Sequence, residues 1–202
     1  MAGDWDDMAA GYRDSFVKML WKETGLNASD ERVVLDFGCG TGLLTEALRR
    51  LSPESKFICV DAAEAMVGQV KTKIRAGEWD NVKVFSLALA NFESADEKTR
   101  TELDSLRGKV DLVVASSVMN FVPSGDLSRT MKVIGELLKP GGLFCHSDWR
   151  EGDEDPDGYD SGKAGKVYGM AGLEIKSTND TSTFCMGSHG EVKVFVGVAR
   201  KP

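Results

Sequence analysis

The stretch VLDFGCGTGLL, from Val34 to Leu44, restricts the possible folds more than any other part of the chain. An apolar strand runs into three glycines at alternate positions, Gly38, Gly40 and Gly42, and a helical segment follows from Leu43. Glycine loses more backbone freedom on ordering than any other residue, so this clustering marks a tight turn whose backbone something approaches closely. Strand, glycine turn and helix also begin a pattern that recurs. Apolar runs rich in Val, Ile and Phe read as strands at Val33–Asp36, Lys56–Asp61, Val82–Leu89, Val110–Ala115, Gly142–Trp149 and Val192–Ala199. Helical spacing fills the gaps at Leu43–Leu51, Ala62–Arg75, Ser94–Leu106 and Asp126–Leu138. Strand followed by helix, four times in succession, predicts a parallel sheet with right-handed crossovers.

The two ends depart from that rhythm. Between Asp4 and Thr24, Trp5, Met8, Tyr12, Phe16, Met19 and Leu20 recur at helical spacing and predict an N-terminal helix. Near the C-terminus GLEIKSTND reads as a further strand, and the turn-like CMGSHG lets it pair with the last strand as an antiparallel hairpin. Before it, REGDEDPDGYDSGKAGK reads as a long loop leading into a short helix. The expectation is one α/β domain over residues 1–202: a helical lid over residues 1–28, then a Rossmann-like core over residues 29–202. Its sheet is expected to be seven-stranded and mostly parallel, flanked by helices, with an antiparallel C-terminal strand.

Composition narrows the class. The 202 residues are 42% hydrophobic and 28% charged, ordinary values for a soluble globular chain. A formal net charge of −7, with lysines and arginines scattered, argues against a nucleic-acid partner. No apolar run approaches the roughly 20 residues of a membrane span, and the acidic MAGDWDDMAAGYRD is unlike a secretion signal, so a cytoplasmic protein without a membrane partner is expected. Cys39, Cys59, Cys145 and Cys185 are far apart, no CxxC pair occurs, and His146 and His189 are the only histidines, so no metal site is expected.

The glycine loop nearly matches the dinucleotide fingerprint G-x-G-x-x-G, but Leu43 occupies the position of the third glycine. Asp36, two residues before the first glycine, places a carboxylate beside the loop, ill suited to a phosphate and well suited to a cation. The remaining reading is a turn that only eases packing.

At this point the residues resemble a known family. VLDFGCGTG is similar to the first motif of the class I S-adenosylmethionine-dependent methyltransferases, small-molecule type. VDAAEAM (Val60 to Met66), DLVVASSVMNFVP (Asp111 to Pro123), LLKPGGLF (Leu137 to Phe144) and WDDMAAGYRD (Trp5 to Asp14) resemble further parts of that family, in order. The resemblance implies S-adenosylmethionine as cofactor, S-adenosylhomocysteine as product, no metal, and methyl transfer to a small-molecule acceptor. It implies cofactor contacts from Tyr12, Asp36, Gly38, Cys39, Gly40, Asp61, Ala62, Met66, Ala88, Leu89 and Ser116. Within that set Asp36 serves the cationic end, the Gly38–Gly40 amides and the helix N-terminus serve the carboxylate, and Asp61 takes the ribose hydroxyls. Asp61 also reads as a helix cap, Met66 as core, and Tyr12 as packing on the sheet or as a hydroxyl over the methionine end.

Two departures stand out. In SLALANF, Ala88 or Leu89 stands where many relatives have an acid for the adenine amino group, with Asn91 as a possible substitute; Asn120 and Phe121 stand where relatives carry paired histidines. Base candidates at the mouth are therefore His146 and Asp148 of CHSDW, which point the same way along a strand; the other reading is a satisfied histidine between layers and an aspartate at the strand exit. Asn120 and Trp149 are expected near the acceptor, and EGDEDPDGYD (151–160) is either a solvated loop or a flap for a cationic substrate. Rival functions are a methyltransferase-fold protein that binds cofactor without transferring methyl, and a nicotinamide-dependent oxidoreductase. Monomer and homodimer both remain open.

Overall fold

The computed structural model describes residues 2–29, 31–77, 79–150, 158–186 and 190–202. A helix α1 (Ala2–Thr24) precedes β1 (Val33–Phe37), α2 (Leu43–Leu51), β2 (Lys56–Asp61), α3 (Glu64–Arg75) and β3 (Val82–Ser86). After them come α4 (Glu97–Asp104), β4 (Val110–Ser116), α5 (Ser124–Leu137), β5 (Leu138–Trp149), α6 (Ser161–Met170), β6 (Glu174–Cys185) and β7 (Glu191–Arg200). The seven strands form one sheet in the order β3-β2-β1-β4-β5-β7-β6. All neighbours pair in parallel except β7, which runs antiparallel to both β5 and β6. The expected Rossmann-like sheet with its antiparallel C-terminal strand is thus present.

The pleat divides the side chains between two cores. Val34, Phe57, Cys59, Leu112, Val114 and Cys145 pack with α1, α2 and α3 residues such as Phe16, Leu20, Leu48 and Val70. Leu35, Ile58, Val60, Val113 and Phe144 point the other way, to Leu103 of α4, Met131 and Ile134 of α5, and Tyr168 of α6. A continuous apolar run is needed because both faces of each central strand are covered.

Several boundaries differ from the sequence expectation. β3 stops at Ser86 rather than Leu89: the Leu87 amide makes the last ladder bond, to the Asp61 carbonyl (2.8 Å), and a 3-10 turn begins at Leu89. α4 starts at Glu97, where the Asp96 side chain accepts from the Thr99 amide at 3.0 Å. α3 starts at Glu64, two residues late, because Asp61 accepts from the Ala63 amide at 2.8 Å. Lysines and arginines that look scattered in sequence also converge: Lys71, Arg75, Lys83 and Lys98 line one groove beside the edge strand β3, with Lys83 paired to Glu102 at 2.7 Å. Among the described residues, no helix is long and apolar enough to cross a membrane.

Glycines report where the packing is tight. Opposite His146 in the β5–β7 ladder sits Gly197, and a Cβ there lies 1.8 Å from the Tyr168 hydroxyl. At Gly165, inside α6, a Cβ meets only Ile175 Cδ1 at 3.5 Å, an ordinary contact. Gly197→Ala is therefore expected to destabilise the protein by about 2–4 kcal/mol through overpacking and a lost hydrogen bond. Gly165→Ala is expected to be neutral or to stabilise by up to about 1 kcal/mol through helix propensity. Urea unfolding of the two variants checks this, and equal effects contradict it.

Candidate functional site

β1 has β2 on one side and β4 on the other, so the loops leaving β1 and β4 diverge and open a cleft at the carboxyl ends of the strands. The cleft has two lobes that share Gly38, Gly40, Ser116 and Ser117. One is lined by Tyr12 and Arg13 of α1, Asp36, Cys39, Leu43, Trp149 and Met186. Asp61, Ala62, Met66, Leu87 to Ala90, and the α5 side with Phe121, Pro123, Asp126 and Thr130 line the other.

All three loop glycines are left-handed, at φ +69° for Gly38, +54° for Gly40 and +83° for Gly42. They are not equivalent. A Cβ on Gly38 collides with Val118 Cγ2 at 2.3 Å, and one on Gly42 with the Trp79 ring at 2.7 Å. At Gly40 a Cβ meets nothing within 4 Å, so this glycine faces the space shared by both lobes. Packing thus adds to the backbone requirement at two glycines, whereas at Gly40 the positive φ alone calls for glycine.

The loop's amides turn inward. Those of Gly38 and Cys39 donate to the Val60 carbonyl at 2.8 and 3.2 Å, and that of Gly40 to Asp61 Oδ2 at 2.8 Å. This corrects the expectation that the Gly38–Gly40 amides receive a ligand carboxylate. It also removes the amide cradle on which a bound pyrophosphate depends. Asp61 accepts from Gly40 through one oxygen and from Ala63 through the other (2.8 Å); it braces the turn that leads into α3, whose N-cap is Ala63 and not Asp61. Each carboxylate oxygen accepts more than one hydrogen bond, so both retain capacity toward the lobe.

Asp36 is 1% exposed, with its Oδ2 accepting from Thr45 Oγ1 at 2.5 Å. Burial, reinforced by nearby Asp61 and opposed by Thr45, pushes its pKa up to about 6. Beside it, Cys39 donates its thiol to the Gly40 carbonyl at 3.7 Å, and the neighbouring Cys59 together with burial raises its thiol pKa. Tyr12 is packed as well as pointed at the cleft: its hydroxyl donates to Ser147 Oγ at 3.0 Å while its ring meets Phe184 edge-on at 5.0 Å and Trp149 at 6.1 Å. Burial holds that hydroxyl well above its usual pKa, with the Asp148 charge adding to the effect.

The pleat of β5 separates CHSDW. Ser147 and Trp149 face α1 and the cleft, whereas His146 and Asp148 face α6 and are fully buried. His146 Nδ1 donates to Asp148 Oδ2 at 2.6 Å, since a carboxylate can only accept. Its Nε2 is hydrogen-bonded to the Tyr168 hydroxyl at 2.7 Å, and its ring stacks on Phe144 at 5.2 Å. Neither residue lines either lobe, so the expectation of a base at the mouth gives way to the interlayer reading. Asp148 Oδ1 accepts from the Asn120 amide at 3.3 Å, which fixes the turn after β4; Asn120 does not line the lobes either.

The remaining expected residues, Ala62, Met66, Ala88, Leu89, Ser116 and Trp149, all line the cleft. Asn91 is exposed and lies outside the lining. The acidic stretch 151–157 and His189 lie outside the described residues, whereas Tyr159 is tied to the Trp149 carbonyl by its amide at 2.8 Å and Asp160 caps α6. Sequence reasoning missed Arg13, Asp126, Met186 and Ser117. Ser117 is the one non-glycine among the described residues with positive φ, +54°, held by its amide on the Ser147 carbonyl at 2.7 Å.

The chain matches a family model described as methyltransferase domain over residues 35–144. It is 28% identical over 142 residues to methyltransferase tpcH of Aspergillus fumigatus, covering 67% of this chain and 46% of that protein. It is 25% identical over 186 residues to a malonyl-[acyl-carrier protein] O-methyltransferase of Chlorobium phaeovibrioides, covering 91% of this chain and 63% of that one. The chain spans about half the length of the curated relatives it matches. Among solved structures, a SAM dependent methyltransferase from Aquifex aeolicus superposes with a TM-score of 0.73 at 19% identity, over 100% of this chain and 97% of that one.

Asp36 has a testable signature. Its folded pKa, about 6, lies above the ordinary 3.8, so the folded state holds this proton more tightly than the unfolded chain does. The resulting stabilisation is fully present below about pH 4 and is lost as pH rises through about 6, amounting to about 3 kcal/mol. Asp36→Asn lacks it. Relative to wild type, the variant is expected to gain about that much between pH 4 and 7 in urea unfolding; parallel pH profiles contradict the assignment.

Proposed function

This chain belongs to the methyltransferase-domain family, and we propose that it is an S-adenosylmethionine-dependent methyltransferase acting on a small-molecule acceptor. The observation that carries this reading is the match between the two-lobed cleft and a molecule with a neutral nucleoside at one end and a zwitterion at the other. Asp61 stands at the mouth of one lobe with acceptor capacity for the two ribose hydroxyls. Met66, Ala88 and Leu89 give that lobe apolar walls for a base. Among the described residues that line the other lobe, the one cationic side chain is Arg13 and the one anionic side chain is Asp36. Arg13 therefore opposes the carboxylate, replacing the inward-turned loop amides, and Asp36 opposes the ammonium. Arg13 is paired at present with its neighbour Asp14, 61% exposed, a weak surface partner that a ligand carboxylate displaces.

The bound cofactor supplies a methyl group already activated on a sulfonium. The chain supplies alignment and a dry wall. Tyr12, Trp149, Leu43, Leu44 and Met186 enclose the methionyl lobe with largely apolar surface. Tyr12 and Cys39 are held protonated by their surroundings, and His146 and Asp148 face away. An acceptor that is already nucleophilic at neutral pH suits such a lobe, where orientation and exclusion of water contribute most of the rate. The enclosed lobe also favours a small acceptor over a macromolecule, although a relative of this chain is a tRNA N(3)-methylcytidine methyltransferase of Schizosaccharomyces pombe.

Calorimetric titration tests the reading. Wild type is expected to bind S-adenosylmethionine and S-adenosylhomocysteine and not NADH. Arg13→Gln is expected to weaken the first two about ten- to hundredfold. 5′-Methylthioadenosine, which lacks the amino-acid end, is expected to bind both proteins alike. S-adenosylhomocysteine formation across an acceptor panel then identifies the substrate. A folded wild type that binds neither sulfonium nor thioether ligand overturns the proposal.

A further inference from the structure

The sheet ends in two edge strands, and they are finished differently. β6 is broken by register shifts against β7 at Ile175/Ser177 and Asn179/Ser182, irregularities that discourage a further strand. β3 keeps an unbroken register against β2, from Phe57↔Val82 to Asp61↔Ser86. The Phe57 amide donates to the Asn81 carbonyl at 2.9 Å and the Leu87 amide to the Asp61 carbonyl at 2.8 Å. By the alternation of a parallel ladder, Asn81, Lys83, Phe85 and Leu87 turn their backbones toward β2. Val82, Val84 and Ser86 therefore turn theirs outward, and among the described residues no strand lies beyond them. Beside this edge runs the groove of about 540 Å³ bordered by Lys71 and Arg75 of α3, Lys83 of the strand itself and Lys98 of α4. Ile74, Val84 and Phe85, all half-buried, give it an apolar floor.

We propose that the β3 edge is a docking surface for an extended acidic segment of a partner protein, which adds to the sheet as a further strand. Val82, Val84 and Ser86 each offer it an outward amide and carbonyl; backbone pairing of this kind supplies affinity, and the flanking side chains supply selectivity. Charge sets the sign of the partner. In the groove four cations meet one acid, Glu102, which Lys83 engages at 2.7 Å. Lys71, Arg75 and Lys98 have no ion-pair partner among the described residues. In a chain of net charge −7 this is a local reversal of sign. A second copy of the chain would set these cations against their own kind, so self-pairing along this edge is disfavoured. The apolar floor and outward peptide groups suit a polypeptide better than a phosphodiester backbone, which cannot continue a β ladder. No residue lining the groove lines either lobe of the cleft, so the surface is independent of the cofactor reading.

Lysine on an edge strand also serves to prevent pairing. A guard of that kind binds no strand, whereas a docking surface binds an acidic one and needs both its charge and its amides. The probe is the fluorescein-labelled peptide Glu-Glu-Val-Val-Glu-Glu-Val, which places acidic and apolar side chains on both faces of an added strand, read by fluorescence anisotropy at low ionic strength. Wild type is expected to bind it and not its Lys-Lys-Val-Val-Lys-Lys-Val counterpart. N-methylation of the peptide's backbone, which keeps the charge and removes the donors, is expected to weaken binding at least about tenfold. The double variant Lys71→Glu, Lys98→Glu is expected to weaken it at least about tenfold as well. Val84→Pro removes one outward amide without touching the ladder to β2, and is expected to weaken it about three- to tenfold. Thermal unfolding verifies that each variant is folded, and the charge variant decides the matter if the proline variant is not. Three results overturn the proposal: no binding by wild type, binding that survives N-methylation or charge reversal, or tighter binding of an oligouridylate of equal charge. S-adenosylhomocysteine titration tests the cofactor reading separately, and its failure leaves this surface standing.

Discussion

The structure depends on one carboxylate. Asp61 holds the Gly40 amide with one oxygen and the Ala63 amide with the other, so it fastens the glycine loop after β1 to the start of α3 after β2. With the Val60 carbonyl taking the amides of Gly38 and Cys39, the loop is bound along its length to the neighbouring strand. A loop of left-handed glycines has little intrinsic reason to keep one shape, and these bonds give it one. They also decide the chemistry. With its amides turned inward the loop is a poor phosphate cradle, and the charged side chains that line the cleft around it are Asp36, Asp61 and Arg13. Each is a point charge placed on a different element, which suits a ligand whose polar groups are spread from end to end.

A second constraint is the pleat of β5. Alternation sends Ser147 and Trp149 to the layer of α1 and the cleft, and His146 and Asp148 to the layer of α6. The same strand therefore contributes a wall to the cleft and a buried polar chain behind it. Gly197 makes that chain possible by leaving room for the Tyr168 hydroxyl beside the imidazole. Through Asp148 and the Asn120 amide, the buried chain steadies the turn after β4, which borders both lobes. His146 and Asp148 thus support the site from behind.

The sheet and most helices were legible because both obey simple periodicities. Runs such as the one containing Val110 to Ala115 can only be strands covered on both faces, and Leu44 with Leu48 sets the buried stripe of α2. Much of the cleft was legible too, since Asp61 and Ser116 end their strands and Met66 lies in the first turn of the helix after β2. Direction was not. Alternation places His146 and Asp148 on one face but cannot say which, because both faces of this sheet are apolar. Nor does the sequence show where an amide points, so the inward turn of Gly38 to Gly40 was invisible. Arg13 and Asp126 look like any charge on a helix surface, and only the fold brings them to a common cleft. Gly42 is required by Trp79, a neighbour in space and not in sequence.

The account is tested most directly by a crystal structure of the protein with S-adenosylhomocysteine. It predicts the ribose hydroxyls on Asp61 while the Gly40 and Ala63 amides stay bonded to that carboxylate. It places the adenine between Met66 and Leu89 and the amino-acid end between Arg13 and Asp36. A loop whose Gly38 to Gly40 amides have turned outward onto the ligand, or a ligand seated away from Asp61, contradicts it.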